Sequence, residues 1–294
     1  MNDLRDRSLS CSGCLTKFIA DRSALAEIIS EARARLYIDM TCQTDDEDVQ
    51  KAWMDFVENV QPKLSEYSDI LNRRLAGHEA VGDLPDRYDV LLKGMMTDIE
   101  IFREENIPLD TSVTKLVTEY NEICGAQTVE FDGEEKTFAQ MAIYLENTDR
   151  AVREAAWRAV SERRFEDSER VSEIYDELIR IRHQIATNAG FDGYQHYMFA
   201  AMHRFDYSID HCLEFHDSIE AVCQPLRHKT DAERKQALGV ESLRPWDMGV
   251  AASYTHLRAH DTSLHLLCRL LLITKTTRRY ANSYAVFCLK KKNI

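Results

Sequence analysis

Glycine and proline are scarce in this chain, ten and five among 294 residues, and runs of β-branched residues are rare. Folds made of many short strands need turn residues far more often, so the balance favours long helices. A basic surplus is also missing: 37 Lys and Arg stand against 50 Asp and Glu, a net charge of −13. That argues against nucleic acid as a partner, because neutralising phosphates needs clustered cations. Residues 1–10 lack the apolar core of a secretory signal. The most apolar short stretch, 264–273, is too short to span a bilayer and contains Arg269. A soluble, cytoplasmic protein with no membrane partner is expected.

Several chemical signatures are absent as well. The glycines are isolated, so there is no phosphate-cradling loop, and G-x-S-x-G does not occur. Nor does H-E-x-x-H, the spacing that turns two imidazoles toward one ion with a glutamate base beside them. His211 and His216 are five apart, which separates them by about 140° around a helix. His196 and His203 are separated by an expected turn, and no native metal site is assigned to this region. Cys11 and Cys14 form a C-x-x-C, but no second pair and no βαβ pattern accompanies it. Two thiols on a terminal turn or helix are expected, with a thiol–disulfide role as the alternative. Cys124, Cys212 and Cys223 fall among apolar residues and are expected in the core.

What the chain does have is helical periodicity. Leu25, Ile28, Ile29 and Leu36 mark a helix over 23–37. Thr44-Asp45-Asp46-Glu47 caps the next helix and gives it an acidic first turn. Val49, Trp53, Phe56, Val57 and Val60 form its apolar face, with an end near Pro62 and another helix over 63–75. Helices are expected over 87–102 and 112–123, with Pro108 between them and Gly125 as a stop. Thr128–Phe131 alternates, and Asp132-Gly133 signals a tight turn, so one β-hairpin is expected near 128–136 with Glu134 and Glu135 on a polar face. Thr137-x-x-Gln140 is a capping box for a helix over 138–145. Thr148-Asp149 caps a helix running to about Phe165. In the next one Val171, Ile174, Leu178, Ile181 and Ile185 make one stripe that Gly190 ends. A short helix over 194–201 follows. Ser208 then caps another, with Cys212, Phe215, Ile219 and Val222 expected inward and Pro225 near its close. The fold class is all-α, a multi-helix lobe with one hairpin.

Composition breaks near Ser253. Residues 1–252 hold 29 basic and 49 acidic side chains, net −20, whereas 253–294 hold eight basic residues and the single acid Asp261, net +7. Ser253–His260 also resembles a translated frame of a transposase-type sequencing adapter. The expected organisation is therefore a native helical portion, 1–252, and a non-native tail, 253–294; the alternative is a genuine basic amphipathic C-terminus. His256, His260 and His265 are accordingly not read as ligands.

A set of blocks carries a family resemblance. Phe102-Arg103-Glu104-Glu105-Asn106-Ile107-Pro108-Leu109 begins it, and Val129–Glu135 continues it. Asp149-Arg150-Ala151-Val152-Arg153-Glu154-Ala155-Ala156-Trp157-Arg158 comes next, then Asn188–Tyr194, Arg204-Phe205-Asp206-Tyr207 and Leu243-Arg244-Pro245-Trp246-Asp247. In this order the chain is similar over 15–250 to bacterial oligoendopeptidase F, a relative of thimet oligopeptidase. The resemblance implies a soluble, mostly helical zinc endopeptidase that cuts short unstructured peptides in a channel, this segment forming the upstream lobe of a zincin-type oligopeptidase. It implies Zn for the full-length protein, which would polarise the scissile carbonyl and a bound water while a Glu takes the water's proton. The family's H-E-x-x-H, third Glu ligand and transition-state Tyr or His lie downstream of the Pro-Trp-Asp block and have no counterpart here. No catalytic or metal residue is carried over, and substrate-binding residues stay unassigned. Arg204, Asp206 and Tyr207 are candidates to line the channel, a structural Arg204–Asp206 pair being the plainer expectation. This chain alone is expected to be inactive; the alternative function is a non-catalytic helical interaction module.

Overall fold

A computed structural model describes residues 2–9 and 12–250; the proposed tail at 253–294 and Cys11 lie outside the described residues. In chain order the helices are α1 (Asn2–Asp6), α2 (Ser12–Cys42), α3 (Glu47–Asp55), α4 (Gln61–Ala76), α5 (Asp89–Ile101) and α6 (Asn106–Gly125). Strands β1 (Thr128–Phe131) and β2 (Glu134–Thr137) follow, then α7 (Phe138–Met141), α8 (Arg150–Glu166), α9 (Ser168–Asn188), α10 (Tyr194–Ala201) and α11 (Ile209–Leu238). The fold is all-α with one antiparallel hairpin, in register Thr128 to Thr137.

Local chemistry accounts for most boundaries. The Asp46 carboxylate caps α3 by accepting from the backbone N–H of Asp48 and Val49. Asp132 and Gly133 both take positive φ, 57° and 78°, as the mirror-image hairpin turn requires. Thr137 and Gln140 form the capping box reciprocally, at 2.8 and 3.3 Å. Gly190, at φ 90°, ends α9 with Phe191 N–H donating to the Ala186 carbonyl.

The described residues divide into two compact units, the first lying within Met1–Gln140 and Arg158–Val222, the second made of Met141–Trp157 and residues 223–250. In the first, Leu15, Phe18, Ile19, Leu71, Leu75 and Met95 make one apolar cluster, and Met40, Trp53, Phe56 and Val57 another. The expected stripe of α9 is buried at Ile174, Leu178, Ile181 and Ile185, against α6. The second unit is built around the buried residues Trp246, Asp247 and Val250.

Four expectations are corrected. Pro62 does not end a helix: a π-turn over Phe56–Val60, closed by Gln61 N–H on the Phe56 carbonyl, carries the chain from α3 into α4, and Pro62 sits in the first turn of α4. A first-turn residue has no N–H partner to lose, so proline is tolerated there. For the same reason Pro108 lies inside the first turn of α6. Pro225 lies inside α11, which runs on to Leu238. Finally Phe215, Ile219 and Val222 point outward, 63%, 40% and 61% exposed, and Cys223 is exposed as well. These residues have the helical spacing of a core face, but the described chain packs nothing over them.

Candidate functional site

Four of the six blocks that carry the resemblance meet in space, as one pair within each unit. Arg103 donates from Nε to the Asn188 carbonyl at 3.0 Å and from Nη2 to the Ala189 carbonyl at 3.2 Å. Asn106 donates to the Ile185 carbonyl at 3.0 Å and accepts from Asn188 at 2.8 Å. Backbone N–H groups reach the Ile185, Ala186 and Thr187 carbonyls, so Arg103 supplies the donor that the Asn188 carbonyl at the end of α9 lacks and Asn106 adds a second donor to Ile185; a cation there also suits the helix dipole. In the other unit Asp247, wholly buried, accepts from Arg150 at 3.0 and 2.8 Å, from Arg153 at 3.0 Å and from the Arg244 backbone at 2.9 Å. The Arg150 hydrogen bonds first, then those from Arg244 and Arg153, hold its carboxyl well below the usual range and outweigh desolvation. Trp157 and Trp246 pack beside them, centroids 5.3 Å apart.

The Arg204–Tyr207 block behaves differently from expectation. Arg204 does not pair with Asp206; its guanidinium lies over Phe199 at 5.1 Å and Tyr207 at 5.8 Å. The neighbouring His203 closes α10 at φ 51°, a left-handed conformation that favours glycine. Its Nε2 lies 2.7 Å from Asp98 Oδ1, and its ring stacks on Phe205.

One concave feature of the first unit is a groove. A cavity of about 550 Å³ lies between α2, the π-turn, α4 and α6. Its lining residues recur at helical spacing: Arg22, Leu25, Ala26, Ile29 and Arg33 on α2, Leu64, Ser68 and Leu71 on α4, Ile107, Asp110 and Thr114 on α6. Phe56, the first residue of the π-turn, also lines it. A second cavity of about 330 Å³ shares the walls Ser65, Ser68, Ile107 and Asp110 and adds Asp69, Asn72, Asp98 and Tyr197. Asp110 borders both.

The groove perturbs the groups that line it. Water reaches Asp110, yet the crowding protein atoms push its carboxyl up to about 6. Burial, with help from Asp110, Tyr194 and Asp98, pushes the Tyr197 phenol up to about 12. Burial lowers Arg22 against the opposing field of Asp98. Sequence reasoning missed this site because Arg22, Asn72, Asp98 and Asp110 belong to separate helices. The available signal was Asn72, a polar residue between Leu71 and Leu75 on a helix whose core they form.

Among the described residues no group of three or more His, Cys, Asp and Glu could hold a metal ion. His211 Nδ1 instead accepts from Ser208 N–H at 3.1 Å. No described helix is long and apolar enough to cross a membrane.

Residues 143–265 match the profile of peptidase family M3, the last of them outside the described residues. The fold is similar to that of PZ peptidase A with inhibitor 2, at TM-score 0.80 and 24% identity, covering 85% of this chain and 44% of that one. It is similar to a candidate oligoendopeptidase F from Bacillus anthracis str. Ames, at TM-score 0.78 and 22% identity, covering 85% of this chain and 46% of that one. A further candidate oligoendopeptidase F gives TM-score 0.79 at 23% identity, with 85% and 44% covered. A search of curated proteins returns no significant match. The chain spans less than half the length of these solved structures. The profile match covers residues 143–265 of this chain, and the helical fold is similar to that of oligoendopeptidase F.

Proposed function

We propose that this chain is the upstream helical part of a cytoplasmic metallo-oligopeptidase, whose full-length form uses zinc to hydrolyse internal bonds of short, unstructured peptides. The observation that carries the reading is the family M3 match joined to a fold shared over 85% of this chain with peptidases more than twice as long. H-E-x-x-H does not occur in the sequence, and among the described residues no group of His, Cys, Asp and Glu fits a zinc site. No catalytic step is therefore assigned to these residues. Their part is architectural, with Arg103, Asn106, Arg153 and Asp247 fixing helix ends in their respective units.

The outward row on α11 supports a larger assembly. Phe215, Ile219, Val222 and Leu226 recur at helical spacing and are all exposed, which is how a surface looks when its cover is elsewhere. The same row favours the second reading, a non-catalytic helical interaction module. Uninterrupted coding sequence past codon 252 separates the two. An in-frame H-E-x-x-H supports the peptidase, and a natural stop near that codon overturns it. The purified chain, given a quenched oligopeptide and zinc, is expected to leave it intact. Cleavage that a chelator abolishes would refute the assignment of the chemistry to a missing segment.

A further inference from the structure

We propose that the groove of the first unit binds a primary ammonium group in its smaller cavity and the apolar body carrying that group in its larger one. The ligand class is an alkyl- or arylalkylamine, either a free small molecule or the N-terminus of a peptide. The inference rests on the groove alone and stands apart from the peptidase reading.

The smaller cavity is lined by acceptors that lack donors. Asn72 is 2% exposed, and its Oδ1 has no hydrogen-bond partner. One turn away on the same face of α4, Asp69 holds Arg73 with Oδ2 at 2.7 Å while its Oδ1 is buried and unpartnered. Across from them on α6, the water-exposed Asp110 carboxylate has no ion pair and no side-chain hydrogen bond among the described residues. A buried acceptor without a donor costs free energy, and an ammonium group brings N–H donors in several directions at once.

The protein's own cations do not fill this role. Arg22, from α2, reaches Ser68 Oγ at 3.4 Å and lies in the field of Asp98. Arg73 is taken by Asp69, and Arg103 is turned onto the carbonyls at the end of α9. On the α5 and α10 sides, His203 is bonded to Asp98, and the Tyr197 phenol stays neutral, pushed up to about 12 by burial. Asp110 is left as the acid facing the cavity without a counter-charge. The adjoining cavity then offers the apolar surface of Leu25, Ile29, Phe56, Leu64 and Val113. A cationic head beside an aliphatic or aromatic body matches this division.

The test uses the full chain and titration calorimetry. 2-Phenylethylamine is expected to bind saturably, and 3-phenylpropionate, of similar shape and opposite charge, is expected not to. Asp110→Asn keeps size and shape at a water-reachable wall and is expected to weaken the amine at least tenfold. Between pH 5 and 7 the affinity for the wild type should rise about tenfold, as a carboxyl titrating near 6 gives up its proton. The Asp110→Asn chain, which keeps His203, should lose that rise. Leu-Gly-Gly and its N-acetylated form separate the sources: tighter binding of the free peptide, lost on acetylation, identifies a peptide N-terminus, whereas preference for the arylalkylamine identifies a free amine. Absence of saturable binding by both amines, or equal binding by the Asp110→Asn chain, would overturn the proposal.

Discussion

Arg153 and Asp247 meet at 3.0 Å with their side chains 3% and 0% exposed, so each carries a charge that water cannot compensate. Arg153 also donates to the carbonyls of Asn147, Thr148 and Trp246. Removing the carboxylate leaves a buried guanidinium with neutral acceptors only. Asp247→Ala should destabilise the second unit by about 3–5 kcal/mol, the range for breaking a buried pair from one side. Arg150→Ala should cost much less, because that side chain is 41% exposed and can be replaced by water. Urea unfolding followed by tryptophan fluorescence reads both, since Trp157 and Trp246 pack within the cluster. A smaller loss for Asp247→Ala than for Arg150→Ala would contradict the assignment.

The two perturbed aspartates predict opposite responses to pH. Asp247 is held below the usual carboxylate range, so its stabilisation is full above about pH 4 and is lost as pH falls further. Asp110 is raised to about 6, so the native state loses stability as pH climbs from about 4 to 6 and keeps that deficit above it. Asp110→Asn should therefore stabilise the chain at pH 8 and change little at pH 4. The gain should be about 1 kcal/mol at most, because water still reaches the carboxyl. Thermal melts of the variant and wild type at the two pH values give the answer, and an equal shift at both would exclude the assigned cause.

Much of this architecture was legible because its signals are local. The α9 stripe, the Thr137–Gln140 box, the Asp132-Gly133 turn and the Gly190 stop each depend on residues within a few positions of one another. What escaped depends on distant partners. Pro62 and Pro108 read as breaks because their place in a first turn is set by a π-turn and by where α6 begins. The apolar row of α11 reads as core because periodicity reports a face without saying whether anything covers it. Arg204 and Asp206, adjacent apart from one residue, suggested a pair, but the rings of Phe199 and Tyr207 claim the guanidinium. The groove was invisible for the strongest reason: its polar lining comes from α2, α4, α5 and α6, each contributing a residue or two that look ordinary on their own helix.

Gly94 should resist the substitution that usually helps a helix. Replacing an interior glycine with alanine commonly stabilises by about 0.5–1 kcal/mol. A Cβ at position 94 would stand 2.9 Å from His203 Nδ1 and 3.0 Å from its Cε1. The imidazole has little room to yield, since Asp98 holds its other nitrogen at 2.7 Å and Phe205 stacks on its face. Gly94→Ala is expected to destabilise the first unit by about 1–3 kcal/mol. Adding His203→Ala should recover most of that loss, because it removes the colliding ring. A double variant no more stable than Gly94→Ala alone would mean that the clash lies elsewhere.

Trp53 gives the clearest separation of packing from hydrogen bonding. Its indole Nε1–H donates to Thr118 Oγ1 at 3.1 Å, and that hydroxyl donates in turn to the Thr114 carbonyl at 3.0 Å. Both residues are buried, and the indole is packed by Tyr37 and Phe56. Thr118→Val preserves shape but leaves the indole donor without an acceptor, a penalty of about 1–3 kcal/mol. Thr118→Ser retains the hydroxyl and loses only a methyl group, so it should cost about 1 kcal/mol. Combining Thr118→Val with Trp53→Phe removes donor and acceptor together, so the pair should cost less than the two single changes added. A double-mutant cycle by urea unfolding measures the difference, and strict additivity would show that the bond contributes nothing beyond the volume of its two side chains.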